Sequence, residues 1–338
     1  MTEKKPAPEI EDILGWRVCH NRIGPILTPI FQRVNYYMVK DCTDQQLRER
    51  NLLRENMVFG YVSTFNTAKP DVLDRPNTIT AVDCSGINYI SDKLLMSREM
   101  KRLGLMDHFP TTYELVSEAR QAVDATKSPI LFIKNRIGTD GRSVFCIKSK
   151  DLWSFAPPNG YIIQEAIPNI ELYQDRKLEF RWHVFIWNQQ IYLGKYAMAY
   201  KHAGDKFNPE DIDWTMQVRK TKGMDLGTAV DNSRPEIWPI HTEQNGDRYF
   251  AAIKELLKNI LPILEPIRLQ TNDRLFQTLG CDSVLCEDGR MRLIEINHYP
   301  NYMQTTKCNT EINIPYWSSI ILKMFLNIDT EELILIKN

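Results

Sequence analysis

The stretch RLIEINHYP, Arg292 to Pro300, ends an apolar run with a glutamate and an asparagine two positions apart. Side chains alternate along a strand, so Glu295 and Asn297 share one face while Ile294 and Ile296 share the other. A carboxylate set into an apolar strand is costly unless a cation meets it. Upstream, Asp288-Gly289 separates two apolar runs and signals a two-residue hairpin loop, which makes Glu287 face Arg290. Counting back along that ladder puts Asp282 opposite Glu295, with Asn297 diagonal to it. Two carboxylates and an amide oxygen suit a hard cation such as Mg2+, which often also binds substrate phosphates. The competing reading is a structural hairpin whose acids pair with Arg290, Arg292 or Lys307.

Residues suited to phosphate lie upstream. Lys134 ends the apolar run PILFIK and precedes NRIGTDGRSV, so its ammonium can meet a phosphate while a glycine-containing turn folds its amides over others. This is not a Walker loop, which needs GxxxxGK[ST], and a plain strand–turn–strand is the competing reading. Lys93, in the first turn of a helix, offers a second ammonium. YIIQEAI, with Gln164 to Ile167, offers backbone polar groups to an adenine edge, or is simply a core strand. Arg181 and Lys195 sit in otherwise apolar strands, where their charges face a cleft or snorkel at a sheet edge.

These residues need a mixed scaffold to position them. Strands are expected near Val58 to Ser63 and Thr78 to Val82. A helix follows over SDKLLMSREMKRLGL, with Ser91 as N-cap and Asp92 in its first turn. TTYELVSEARQAV reads as a second helix, PILFIK and the residues after the glycine turn as strands, and EFRWHVFIWNQQIYLGKYAMAY as two strands joined around Asn188 to Gln190. His202 to Asp247 is a long polar run of the kind that forms a lid or insertion. A helix over Arg248 to Leu264, another through Leu275, and the hairpin complete the chain.

At 338 residues the chain suggests two or three domains. The expected division is a disordered lead-in over 1–12, an N-terminal α/β domain over 13–108, a central domain over 109–168 and a C-terminal domain over 169–338. A net charge of -1 gives no general attraction to nucleic acid or acidic membranes, so any anion site must be local. The seven cysteines form no CxxC pair, which argues for a reducing compartment. With no apolar leader and no window long enough for a membrane span, a soluble cytoplasmic protein is expected.

In order and spacing, these pieces resemble the ATP-grasp superfamily, and within it the tubulin tyrosine ligase-like enzymes. IKNRIGTDGRSV is similar to their lysine and glycine loop, YIIQEAI to their hinge strand, EFRWHVFIW to their arginine strand, and LGCDSVLCEDGRMRLIEINHYP to their closing block. The resemblance runs from about Asp92 to Asn301. It implies an α+β, mixed α/β fold with ATP held between a small central domain and a larger antiparallel sheet. By the same resemblance, Lys93 and Lys134 contact ATP phosphates, and Gly138, Thr139, Gly141, Arg142 and Ser143 close over them. Gln164, Glu165 and Ile167 hold adenine; Asp282, Glu295 and Asn297 bind Mg2+; Arg181 and Lys195 face the transferred phosphoryl group. The implied activity is ATP-dependent joining of a carboxylate to an amine through an acyl phosphate, on an unidentified acceptor such as a peptide or protein tail. EINHYPNY also looks like the ending of the ATP-grasp inositol phosphate kinases, so a kinase with basic help from Arg17, His20, Arg22 and Lys201 is the alternative. A catalytically inactive ATP-binding module is the third.

Overall fold

The computed structural model describes residues 13–18, 26–27, 30, 57–62, 78–82, 87–123, 128–138, 143–202, 206–213, 217–218, 236–298, 300, 302 and 306–337. The lead-in, Thr139, Gly141 and Arg142 of the glycine turn, and much of the polar run after His202 lie outside them, as do His20 and Arg22.

Among the described residues, two sheets carry the fold. The small one has four strands: β4 (Thr112–Tyr113), β5 (Ile130–Asn135), β6 (Val144–Lys148) and β7 (Tyr161–Glu165), in the order β4-β7-β5-β6. The large one has eleven. At one edge β1 (Ile13–Val18), β2 (Met57–Val62) and β3 (Thr78–Ala81) run parallel, and β3 pairs in parallel with the start of β13 (Leu275–Leu285). The strands expected to form an N-terminal domain are thus hydrogen-bonded into the same sheet as the C-terminal ones.

At the centre lies β9 (Arg176–Trp187), antiparallel to β13 on one side. On its other side it pairs with β10 (Gln190–Gly194) and β11 (Met198–Lys201). The EFRWHVFIW region therefore yields three strands, not two. Its turn, at Asn188 and Gln189, has positive φ at both residues, as a tight two-residue hairpin requires. The sheet is completed by β8 (Leu172–Tyr173), β12 (Glu236–Pro239), β14 (Met291–Asn297) and β15 (Leu333–Ile336).

The alternation of β9 explains the layering. Leu178, Phe180, Trp182, Val184 and Ile186 enter the main core, under helices α1 (Lys93–Arg102), α3 (Gly246–Asn259) and α4 (Leu261–Arg268). Tyr249, Ile253, Leu256 and Leu257 form the apolar stripe by which α3 packs there. Each such side chain, once buried, contributes roughly 1.5–3 kcal/mol. On the opposite face, Phe185 and Trp187 lie under α5 (Ile314–Leu326), with Tyr316, Trp317, Ile320 and Ile321. The remaining residues of that face, Lys177, Glu179, Arg181 and His183, are left for other chemistry. On the small sheet, Leu131 and Ile133 pack with Ala119 of α2 (Val116–Val123), while Ile130 and Phe132 alternate to the other side.

Local expectations are corrected at three places. Thr112 and Tyr113 of TTY form the edge strand β4, not the start of a helix. No helix reaches Leu275: α4 ends at Arg268, and Leu275 opens β13. The N-cap of α1 is Asp92 rather than Ser91, its carboxylate accepting from the amides of Leu94 and Leu95 at 3.0 and 3.1 Å. Cys146, Cys281, Cys286 and Cys308 are buried thiols. Among the described residues, no helix is long and apolar enough to cross a membrane.

Candidate active site

The hairpin of β13 and β14 positions the three oxygen residues, by a route the sequence reading missed. Its loop has three residues, not two: Cys286 faces Arg290, and Gly289 sits at a positive φ of 78°. Nearer the site a bulge falls between Asp282 and Ser283, so Ser283 pairs with Leu293 and Asp282 with Glu295, Ile294 being the extra residue. Loop and bulge each displace the expected register by one residue, and the displacements cancel. The bulge also shifts the pleat. Met291 and Leu293 enter the core before it and Ile296 after it, which leaves Glu295 and Asn297 on the other face. Without that shift, Leu293 would share a face with Glu295. Ile294 is half-buried and does not join Ile296 in the core cluster, contrary to simple alternation.

Across the large sheet this makes two rows. Arg181, Asp282 and Glu295 form one; His183, Gly280 and Asn297 form the next. Arg181 and Asp282 are buried and doubly bonded, with Nη2 to Oδ2 at 2.7 Å and Nε to Oδ1 as the second contact. A carboxylate oxygen keeps a second lone pair, so this pairing leaves Asp282 able to accept again. Glu295 is bonded by the Asn297 amide at 3.1 Å and lies 3.7 Å from Lys93 Nζ. Burial pushes the Glu295 carboxyl up, but Lys93, the Asn297 amide, Lys134 and Arg181 outweigh it and hold the pKa at about 2. The acids do not pair as the structural-hairpin reading supposed: Arg292 goes to Asp288 in the turn, 3.0 Å away.

Lys93 stands at the first position of α1, where an ammonium opposes the helix dipole. It is kept there by Glu295 and by the Gly138 carbonyl, to which it donates at 2.7 Å. Lys93 thereby joins the oxygen cluster to the glycine turn. Asp92 adds a second link, since the Arg136 guanidinium donates to both its oxygens, at 3.2 and 2.7 Å. At the base of the turn the Asn135 amide donates to the Ser143 carbonyl at 3.1 Å.

Lys134 extends from the small sheet on the same face as Phe132 and donates to Gln164 Oε1 at 2.6 Å. Burial, followed by the charges of Lys93 and Lys177, lowers its pKa to about 8 against the opposing pull of Glu295. The Gln164 amide donates on to Thr112 at 2.9 Å. Glu165 accepts from the Tyr113 hydroxyl at 2.6 Å, and Ile167 is half-buried just beyond β7. Lys195 is not brought into this group. It follows β10 and pairs with Glu331 at 2.8 Å, on the exposed side. Lys201 is buried against Glu236 at 2.7 Å.

The sequence reading overlooked Lys177 and Glu179. Lys177 Nζ lies 5.6 Å from the Phe132 ring and Lys134 Nζ 5.1 Å from it, so the two sheets meet across one aromatic flanked by two ammonium groups. Glu179 is buried and lies 3.2 Å from His202. The signal was present: charged or polar residues at 177, 179, 181 and 183, alternating with Leu, Phe and Trp, mark one polar face of a buried strand. His183 and His298, neither assigned a role from sequence, are both buried. Burial, then Arg181, drives His183 down to about 3, and its ring stacks on Tyr302 at 4.9 Å. His298 meets the Ser91 hydroxyl.

Two facing sheets, one offering a lysine and a glycine turn and the other a ladder of carboxylates and cations, define the ATP-grasp class. A family model described as the tubulin-tyrosine ligase family matches residues 72–332. The chain belongs to this family of ATP-dependent, amide-forming ligases. No curated protein matches it.

Proposed function

We propose that the chain is an ATP- and Mg-dependent ligase that joins a carboxylate to an amine on a peptide or protein acceptor. The observation that carries the reading is the cluster between the sheets: Lys93, Lys134, Lys177 and Arg181 surrounding Glu295, Asp282 and Asn297. The donor set is hard oxygen with a deeply ionised carboxylate, which fits Mg2+ and not a thiolate-seeking metal. Asp282, Glu295 and Asn297 would hold it, and when bound it would neutralise charge on the transferring phosphoryl group.

The chain's own residues bind and orient. Lys93 and Lys134 hold nucleotide phosphates, the turn from Gly138 to Ser143 covers them and excludes water, and the β7 end with Gln164, Glu165 and Ile167 borders the adenine. The γ-phosphoryl group passes to an acceptor carboxylate oxygen and ADP leaves. An amine nitrogen then attacks the acyl carbon, phosphate departs, and the amine gives up a proton. Arg181, fixed by Asp282, supplies positive charge as negative charge builds between two anions. Lys195 fits this scheme less well than Arg181, since it faces Glu331. A kinase for a polyanion would want spare basic residues, and Lys201, named for that role, is paired with Glu236.

The test is product analysis by mass spectrometry with Mg-ATP and candidate acceptors. An amide together with ADP is expected; a phosphorylated product with no amide would overturn the ligase. Glu295→Gln is expected to cut Mg-dependent turnover more than about 100-fold with the fold retained by circular dichroism. Undiminished activity in that variant would remove the metal assignment.

A further inference from the structure

The segment after Asn297 is pinned in a way that metal and phosphate binding do not require. His298 is 2% exposed, and its partner is Ser91, 207 residues earlier in the chain. The Ser91 hydroxyl accepts the His298 backbone N–H at 3.2 Å and also meets His298 Nδ1. With Nδ1 unprotonated, the imidazole accepts the serine proton while the serine oxygen accepts the backbone N–H. From below, Gln277 of β13 donates its amide to the His298 carbonyl. The residue is thus held from two elements at once.

What this contact joins gives it meaning. Ser91 stands two residues before Lys93, and Asp92 between them caps α1 and grips Arg136. His298 directly follows Asn297 on the strand that carries Glu295. We propose that Ser91 and His298 are positioning residues that lock the start of α1 to the end of β14, and so set Lys93 at the distance from Glu295 at which one phosphate can meet both the ammonium and the metal. This rests on the Mg-ATP reading above. Lys93 occupies a helix position that disfavours an ammonium, so without the lock it has reason to swing toward water. Ser91, released from capping by Asp92, is free to serve this second purpose.

The test uses the full chain and ATP binding by calorimetry, with Mg2+ and with EDTA. In Ser91→Ala and His298→Leu the gain in ATP affinity produced by Mg2+ is expected to fall about five-fold, the scale of one hydrogen bond. His298→Asn, whose amide oxygen accepts near the place of Nδ1, is expected to restore most of it. Melting temperatures in EDTA should stay close to wild type, and Ser91→Ala decides if His298→Leu does not fold. A wild-type Mg2+ effect in Ser91→Ala would overturn the proposal while leaving the nucleotide reading intact. So would equal losses with and without Mg2+ alongside a lowered melting temperature, which describe a purely structural bolt. If the wild-type chain shows no Mg-dependent ATP binding, the nucleotide reading fails and takes this inference with it.

Discussion

Lys134 shows how burial prepares a single side chain for an anion. Removal from water, then repulsion from Lys93 and Lys177, brings its pKa down to about 8, so it is partly neutral just above neutral pH. A bound phosphate favours the charged form and raises the value again. Nucleotide binding should therefore take up protons between about pH 8 and the ordinary lysine range, and affinity should fall as pH rises through about 8. Calorimetry near pH 8.5 in two buffers of different ionisation enthalpy measures this uptake. Lys134→Arg, which stays charged, should abolish it; undiminished uptake in that variant would place the titrating group elsewhere. The position of Lys134 was legible because a lysine closing an apolar strand is conspicuous. Lys177 and Glu179 escaped notice because their strand reads as a near-continuous buried run, in which each charge looks incidental until the alternation is counted. Lys195 misled for the opposite reason: one residue past the end of β10, it no longer shares the environment of that strand.

At the scale of elements, the β13–β14 hairpin was read correctly in its outcome and incorrectly in its path. Asp288-Gly289 did mark the turn, and Asp282 does face Glu295, yet the three-residue loop and the bulge were both invisible in a binary pattern. A bulge costs the ladder little and leaves no compositional mark, so only the packing of Leu293 and Ile296 into one core reveals the need for it. Close approach was likewise hidden. A Cβ on Gly280 would lie 2.5 Å from the Pro300 Cβ and 3.4 Å from the Arg181 guanidinium. Both neighbours are held, Arg181 by Asp282 and Pro300 between His298 and the Tyr302 stacked on His183. Gly280→Ala should therefore destabilise the protein by about 1–3 kcal/mol, the usual range for overpacking, and weaken Mg-dependent ATP binding. Denaturant unfolding measures the first, and a change below about 0.5 kcal/mol would mean that the segment yields freely.

For the whole molecule, the issue is how two sheets are kept in register across a cleft. Element order announced a mixed α/β chain, the resemblance to the ATP-grasp enzymes implied a small domain facing a larger sheet, and the family match agrees with the mixed α/β reading. The merger of β1–β3 with the C-terminal strands was not legible, since parallel pairing between distant segments leaves no local signal. Nor were the links between the sheets, one of which runs through Asp92. This residue caps α1 and binds Arg136 beside the glycine turn, and two variants separate the functions. Asp92→Asn preserves a cap but removes the charge, whereas Asp92→Ala removes both. Amide hydrogen exchange at Arg136 to Gly138 should quicken in both variants, and at Leu94 and Leu95 in the alanine variant alone. Identical profiles for the two would show that the Arg136 link does not tie the small sheet to α1.

The bulge at Ile294 has a consequence for how this hairpin tolerates change. Losing one residue from a strand ordinarily turns everything beyond it inside out, like a frameshift in a message. Here the strand already carries one extra letter. Removing Ile294 would restore an uninterrupted pleat in which Leu293 and Ile296 still face inward and Glu295 and Asn297 still face the cleft, whereas removing Arg292 would turn Leu293 out of the core. The hairpin therefore has a single spelling error it can absorb, and it lies one residue from the carboxylate on which the site depends.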